Sequence, residues 1–174
     1  MKKLDAEGLE ICRLQGDLFE ASAELCPCSS PIFIRRFMNS ELAKRFDDAM
    51  VLADSNTLRS LVAELDAQYG PSEYGRKRYD SETLYWMGYL YRYWNVVFGI
   101  SSKRIYKIVS ARELSELYYP YHSLDPAQAI ERICEVEGVN LGEVFPSDGY
   151  IEEGVAILRR MHQRPAYEYY SITF

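Results

Sequence analysis

The sequence predicts an all-α protein: a compact bundle of about seven or eight helices that ends in a short extended C-terminal arm. Three observations predict this class. Apolar residues recur at spacings of three and four along most of the 174 residues, as on one face of a helix. Proline, glycine and capping serines lie where such stretches begin and end. The composition, 48% hydrophobic and 26% charged, is that of a folded globular protein.

The first half of the chain predicts three helices. The first covers residues 5–25 and ends before Pro27, because proline cannot continue a helix. The second begins with Ser30 as N-cap and Pro31 at the first helical position. It carries a four-residue ladder of apolar side chains: Ile34, Met38, Leu42 and Phe46. The third covers residues 56–69 and ends at Gly70.

A fourth helix, capped by Asp80 and ending at Phe98, is predicted to lie at the centre of the bundle. It is apolar on two adjoining faces, which is typical of a helix that is buried among its neighbours. Gly88 lies inside it, where glycine costs about 1 kcal/mol relative to alanine. We therefore expect another backbone to pack closely against Gly88.

Three shorter helices follow, and after Gly138 the pattern changes. They cover residues 103–109, a stretch from the Ser110 capping box to Pro120, and a stretch that Asp125 caps and Gly138 ends. We assign residues 1–138 to the helical bundle domain. Residues 139–174 are a predicted C-terminal helix and extended tail, packed on the bundle or on a partner.

The motifs of common enzymes are absent. The sequence has no glycine-rich phosphate loop, no Gly-x-Ser-x-Gly nucleophile motif and no His-Glu-x-x-His zinc motif. His122 precedes a helix capped by Asp125, so a structural role is favoured over that of a general base. We therefore predict no enzymatic activity, no catalytic residue and no cofactor.

The cysteines and the hydropathy indicate a cytoplasmic protein. Cys26 and Cys28 form one close pair, but the second half of a zinc motif is missing, so we predict no metal site. Cys12 and Cys134 are expected on the core faces of helices, as reduced thiols. No stretch has the roughly 18–20 apolar residues of a spanning helix. The N-terminus predicts no secretory signal, and we expect no membrane partner.

The charge distribution raises the hypothesis of a helix-turn-helix. Residues 76–107 carry a net charge of +5 in a chain whose total is −6. A long helix, a glycine turn and a short helix follow one another there, as in DNA-binding proteins. The predicted DNA contacts lie at the start of the short helix: Ser102, Lys103, Arg104, Tyr106 and Lys107. Two helices joined by a glycine turn are also common in any bundle, and the cations could only balance acidic neighbours.

The 15 tyrosines favour a protein interface, since tyrosine and arginine dominate interface hot spots. The alternative is that they fill the core while their hydroxyls reach water or carbonyl groups. Arg92 lies between aromatic residues, where ring stacking or a buried ion pair is also compatible with the sequence. The predicted partner-binding residues are Arg92, Tyr118, Tyr119, Tyr121, Tyr169 and Tyr170.

Three stretches resemble a small bacterial family. They are SSPIFIRRFMNS at residues 29–40, LYWMGYLYRYW at 84–94, and LYYPYHSLDPAQAIER at 117–132, which follows REL at 112–114. The resemblance covers about residues 8–137. Its members look like the antitoxin component of toxin–antitoxin loci, beside toxins of ADP-ribosyltransferase type. The resemblance carries no established functional residues.

The resemblance implies a non-enzymatic, antitoxin-like binding module that sequesters or occludes a cognate protein toxin. The alternative is a helix-turn-helix transcriptional regulator that binds its own promoter DNA, and one protein could have both roles. A homodimer is compatible with both hypotheses.

Overall fold

The computed structural model describes residues 4–139, which form nine α-helices, one 3₁₀ turn and no strand. The predicted all-α bundle is confirmed. The helices are α1 (Ala6–Leu25), α2 (Ser30–Met38), α3 (Glu41–Asp47), α4 (Leu58–Tyr69), α5 (Ser81–Phe98), α6 (Ser102–Ile108), α7 (Ala111–Glu116), α8 (Tyr118–Tyr121) and α9 (Pro126–Val136). The 3₁₀ turn is Met50–Ala53. No helix within these residues is long and apolar enough to cross a membrane.

The long helices α1 and α5 pack along each other at the centre of the fold, and glycines bring them close together. A Cβ atom at Gly88 would lie 2.5 Å from the backbone oxygen of Gln15, so no larger residue fits without a shift of α1. At Gly16 of α1, an added Cβ would instead meet the Tyr85 ring at 2.8 Å. The expected close backbone approach at Gly88 is therefore confirmed.

A cluster of aromatic rings fills the core between α1, α2, α3 and α5. Phe19 lies edge-on to Phe33 and Phe37, with ring centroids 5.5 and 5.2 Å apart. Phe37 lies edge-on to Phe46 at 5.3 Å. All four rings are buried, and perpendicular arrangements of this kind suit the charge distribution of aromatic rings. The packed core thus holds the first three helices against α5.

The second predicted helix is divided in two, because Ser40 ends α2 and begins α3. Its hydroxyl donates to the Phe37 carbonyl oxygen at 2.7 Å and accepts from the Ala43 amide at 3.0 Å. These local bonds replace the continuous helical ladder. Ser29, rather than Ser30, occupies the N-cap position of α2, and the Ser30 hydroxyl accepts from the Tyr79 amide instead.

The other boundaries follow the predicted caps closely. Asp80 accepts from the Thr83 amide at 2.8 Å, Asp125 accepts from the Ala127 amide at 2.9 Å, and Ser110 forms its capping box with Glu113. The helix expected to run to Pro120 is two short helices, α7 and α8, joined at Leu117. The helix and tail predicted beyond residue 139 lie outside the described residues.

Candidate functional site

The buried guanidinium of Arg92 is the centre of a polar network within the helices. Its Nε atom donates to Gln15 Oε1 at 2.8 Å, and Nη1 donates to Asp47 Oδ1 and Asn95 Oδ1, both at 2.7 Å. Nη2 donates to Ser102 Oγ at 2.9 Å. The Ser102 amide in turn donates to Asp47 Oδ2 at 2.9 Å. The network joins α1, α3, α5 and α6 at one point.

The electrostatics of this network are those of a paired internal charge. Burial lowers the pKa of the Arg92 guanidinium, and the Asp47 carboxylate opposes that shift. The guanidinium also lies over the Phe46 ring, 5.4 Å from its centroid. Because a buried charge is costly unless it is paired and hydrogen-bonded, these contacts make the internal arginine tolerable.

Two predicted site residues are therefore corrected. Arg92 has no exposed surface, so it does not belong to a partner-binding surface; the alternative of a buried ion pair is confirmed. Ser102 is also buried, and its hydroxyl serves Arg92 and Asp47 rather than facing DNA. Sequence patterns could not identify Asp47 as the partner, because it lies 45 residues from Arg92.

The remaining cations of α6 lie on the outside of the bundle. Lys103, Arg104 and Lys107 are exposed, and none of them forms an ion pair with another residue of the part that the structure describes. Tyr106 is half-buried and packs against the core. Ser101, not Ser102, caps α6 by accepting from the Arg104 amide. We call Lys103, Arg104 and Lys107 the α6 cations.

The basic run at residues 76–78 is partly used within the fold. Arg78 donates to the carbonyl oxygens of Cys26 and Pro27 at 2.9 and 2.8 Å, which fixes the turn between α1 and α2. The ammonium group of Lys77 lies 5.9 Å from the Tyr79 ring centroid. Part of the predicted basic character of residues 76–107 thus serves the fold, through Arg92 and Arg78, while Arg76 and the α6 cations are exposed.

Four rings form an aromatic surface at the start of α5 and at α8: Trp86, Tyr118, Tyr119 and His122. Tyr118 is at its centre. The Tyr118 ring stacks on His122 with centroids 4.7 Å apart, and it lies edge-on to Trp86 at 5.6 Å and to Tyr119 at 5.4 Å. Tyr119 is 80% exposed, although its neighbour Tyr118 is almost fully buried. Aromatic area is therefore held in a fixed arrangement at the surface.

Hydrogen bonds fix the same surface. The Tyr118 hydroxyl donates to Glu82 Oε2 at 3.3 Å. His122 Nδ1 lies 3.0 Å from the Tyr118 carbonyl oxygen and 3.2 Å from that of Tyr119. Since both neighbours of Nδ1 are acceptors, Nδ1 carries the proton in the neutral ring and Nε2 is an acceptor. These bonds hold the His122 ring in place beside Tyr118.

A second aromatic feature is the tyrosine column of α5, formed by Tyr85, Tyr89 and Tyr93. Successive rings are stacked, with centroids 6.3 and 6.4 Å apart. Each residue is half-exposed, and burial raises the pKa of all three phenols, that of Tyr93 to about 12. The rings are therefore neutral at physiological pH. The sequence predictions do not group these three residues, although their four-residue spacing indicates one face of α5.

The other predicted partner-binding tyrosines have different placements. Tyr121 is half-buried and packs against the core. Tyr169 and Tyr170 lie outside the described residues. Of the predicted partner-binding residues, Tyr118 and Tyr119 lie together in the structure, beside Trp86. For Trp86 the sequence predicts only a position on an apolar face of α5.

An open cavity of about 520 Å³ lies between the start of α1 and the ends of α3 and α5. Carboxylates of Asp5, Glu7, Asp47 and Asp48 are on its walls, with the ammonium group of Lys44. Asp5 and Asp47 already serve a helix cap and the Arg92 network. The cavity therefore offers few free groups for a ligand.

The cysteines and acidic residues do not assemble into a metal site in the described region. All four cysteines are buried and free, and burial raises the pKa of Cys12, Cys26 and Cys134 to about 12. Within residues 4–139, no group of three His, Cys, Asp or Glu side chains could hold a metal ion. The thiols are accordingly held in their unreactive neutral form.

Comparisons with protein-family models, with curated proteins and with solved structures found no match to this chain.

Proposed function

We propose that the chain is a non-enzymatic protein-binding module that sequesters or occludes a cognate protein toxin. The observation that carries the proposal is the aromatic surface, where Tyr119 is 80% exposed beside the ordered rings of Tyr118, Trp86 and His122. A single exposed aromatic residue is ordinary, but a cluster of aromatic rings at a surface marks interaction sites, and aromatic residues dominate the energy of protein interfaces.

The order of these rings supports a binding role in a second way. Binding normally costs free energy because flexible side chains become fixed, by about 0.5–1.5 kcal/mol for each flexible side chain. Tyr118 and His122 are already fixed by ring stacking and by hydrogen bonds to Glu82 and to carbonyl oxygens. When a partner covers Tyr119, few side chains of this surface therefore remain to be fixed, and binding loses little free energy in fixing them.

The nature of the partner comes from the resemblance of residues 8–137 to antitoxin-like proteins. It suggests a toxin of ADP-ribosyltransferase type encoded beside this gene. The absence of common catalytic motifs in the sequence agrees with an inhibitor rather than an enzyme.

Co-expression of the chain with the neighbouring toxin tests the proposal. The wild-type chain should restore growth and co-purify with the toxin, whereas Tyr119→Ala should restore growth less and recover less toxin at matched expression. Tyr74→Ala is a suitable control, because Tyr74 is equally exposed (76%) and belongs to the loop between α4 and α5, where its carbonyl oxygen accepts from the Ser29 amide. No rescue and no complex with the wild-type chain would exclude the proposal.

A second candidate function, binding of promoter DNA, is favoured by the α6 cations. Three exposed cations on one short helix, without an ion-pair partner among residues 4–139, suit a phosphodiester backbone, even though the whole chain is acidic. The order of α5, a short turn and α6 is compatible with a helix-turn-helix. Ser102 has no direct contact with DNA in this version of the hypothesis, because it is buried.

A mobility-shift titration with the gene's own promoter tests this second function. Lys103→Ala combined with Arg104→Ala should weaken binding and flatten its dependence on salt, since fewer counterions are released. Arg112→Ala, which removes an exposed arginine paired with Glu116 on α7, is the control and should leave binding unchanged. Equal binding by the wild type and the α6 variant would remove α6 from any DNA site.

A further inference from the structure

A carboxylate without a cationic partner lies beside the aromatic surface. Glu82 is exposed in the first turn of α5, and its Oε2 atom accepts from the Tyr118 hydroxyl. No lysine or arginine of residues 4–139 forms an ion pair with it. Five other surface carboxylates have such partners, namely Glu41, Asp54, Glu64, Glu116 and Glu135, whereas Glu82 is one of several exposed carboxylates without one in the described residues and is the one that is hydrogen-bonded to the aromatic surface. Glu82 is thus available to a cation from outside.

The neighbouring rings add a second attraction for a cation. The face of an aromatic ring carries negative charge density, so a cation over it is stabilised. Tyr119 stands at 74° to the Tyr118 ring and Trp86 at 77°, and both have accessible area. Desolvation and the Glu82 carboxylate raise the pKa of the Tyr118 phenol, which keeps it a neutral donor to Glu82.

We infer that the Glu82 carboxylate, together with Trp86 and Tyr119, anchors an arginine side chain of the protein partner. Arginine suits this site better than lysine, because its planar guanidinium can stack on a ring and donate two hydrogen bonds to one carboxylate. The inference rests on the proposed protein-binding function and specifies the chemistry of the partner's contact.

An NMR titration of the full chain with N-acetyl-arginine methylamide tests the inference. The chain has two tryptophans, and the indole N–H of each gives one resonance. Trp86 is at the site, whereas Trp94 is buried and is an internal reference. The Trp86 resonance should shift saturably, with a dissociation constant on the order of millimolar for so small a ligand. The Trp94 resonance should stay in place.

Matched variants and a neutral analogue sharpen this titration. Glu82→Gln and Tyr119→Ala should each weaken binding by about two- to fivefold, as expected for one exposed charge pair or one ring contact. Glu116→Gln removes a carboxylate that is already paired with Arg112 and should change nothing. The analogue with citrulline in place of arginine has the same shape without the charge, and it should give no saturable shift.

A Trp86 shift of equal size with the citrulline analogue, or none with the arginine compound, would overturn the inference. The outcome is separable from that of the proposed function. If the chain rescues growth but does not bind the arginine compound, the toxin-binding proposal stands and the arginine anchor is excluded. Arginine binding without growth rescue would leave the anchor and exclude the toxin as its partner.

Discussion

Arg92 is the residue on which the internal structure depends most. Its guanidinium satisfies groups from α1, α3 and α6, and its removal would leave Asp47 as a largely buried, unpaired carboxylate. Breaking one partner of such a pair is far more costly than replacing both, because the remaining charge has lost its counterion and most of its water. The network therefore determines how α6 is held against α3 and α5.

We expect Arg92→Met to lower the free energy of unfolding by about 3–5 kcal/mol. Urea denaturation followed by far-UV circular dichroism would measure this as a lower transition midpoint. Arg112→Met is the matched control: the Arg112 side chain is exposed and its pair with Glu116 is a surface pair, so a change within about 0.5 kcal/mol is expected. Similar midpoints for the two variants would contradict the structural role given to Arg92.

The sequence could indicate that Arg92 is unusual but could not identify its partners. Its aromatic neighbours already suggested stacking or an internal ion pair. Gln15 and Asp47, however, lie 77 and 45 residues away, and no local pattern connects such distant positions. The contacts exist because α1 and α3 pack on the same face of α5, which is a property of the tertiary structure.

At the scale of the helix, the packing of α1 on α5 depends on the small size of Gly88. Alanine there would gain about 1 kcal/mol of intrinsic helix preference. Its Cβ atom would nevertheless lie 2.5 Å from the Gln15 carbonyl oxygen, which is backbone and cannot rotate away. The steric clash therefore outweighs the gain in helix preference, so that Gly88→Ala is destabilising.

We expect Gly88→Ala to destabilise the fold by about 1–3 kcal/mol, as measured by thermal unfolding. Gly16→Ala is the informative comparison, because its new Cβ would meet the half-exposed Tyr85 side chain, which can move. That variant should cost less than Gly88→Ala. If Gly16→Ala destabilised the fold more than Gly88→Ala, the role given to Gly88 in the packing of α1 on α5 would be wrong.

The helix caps predict a pH dependence of stability. The amide of Thr83 donates to Asp80, and this bond lowers the pKa of the Asp80 carboxyl in the folded chain. A lowered folded-state pKa means that the ionised form stabilises the fold. This contribution is present above the ordinary pKa of aspartate, about 4, and is lost as the pH falls through the folded-state value.

Asp80→Asn should therefore be less sensitive to acid than the wild type. Asparagine is also a good N-cap, so the two proteins should differ little at pH 7. Between pH 5 and pH 2 the unfolding midpoint of the wild type should fall further than that of the variant. Parallel pH profiles would show that the Asp80 charge has no part in the stability of α5.

Helix caps are the part of the fold that local sequence predicts best. Asp80, Ser110 and Asp125 each cap the predicted helix, because the bond joins residues two or three positions apart. The division at Ser40 could not be predicted from the apolar ladder. That ladder continues across α2 and α3, and both helices bury their share of it although the backbone turns between them.

At the scale of the whole molecule, the acidic chain has two exposed surfaces of different chemistry, one aromatic and one cationic. The aromatic surface lies at the start of α5 and at α8, and the α6 cations follow the end of α5. The sequence identified both regions, since it singled out Tyr118, Tyr119 and the basic residues after Gly99. The sequence does not distinguish exposed side chains from buried ones. For this reason the predicted binding residues include the buried Arg92 and Ser102, and they do not include Trp86 and Glu82.

Ionic strength should distinguish these surfaces. Binding of DNA through the α6 cations should weaken steeply between 50 and 200 mM salt, because each phosphate contact releases counterions. Binding of a protein through the aromatic surface should change much less, since its main contribution is the burial of apolar rings. Titrations of each partner at several salt concentrations would compare the two slopes. Equal slopes would contradict the division of the molecule into two surfaces.

The central claim, that Tyr119 and its neighbours form a protein-binding surface, is tested most directly by the affinity of purified variants for the neighbouring toxin. Isothermal titration calorimetry would compare the wild type with Tyr119→Ala and Tyr74→Ala, two changes of the same chemistry at equally exposed positions. The Tyr119 variant should bind at least tenfold more weakly, as expected for an interface hot spot, and the Tyr74 variant should bind like the wild type. Equal affinities for the two variants would contradict the claim.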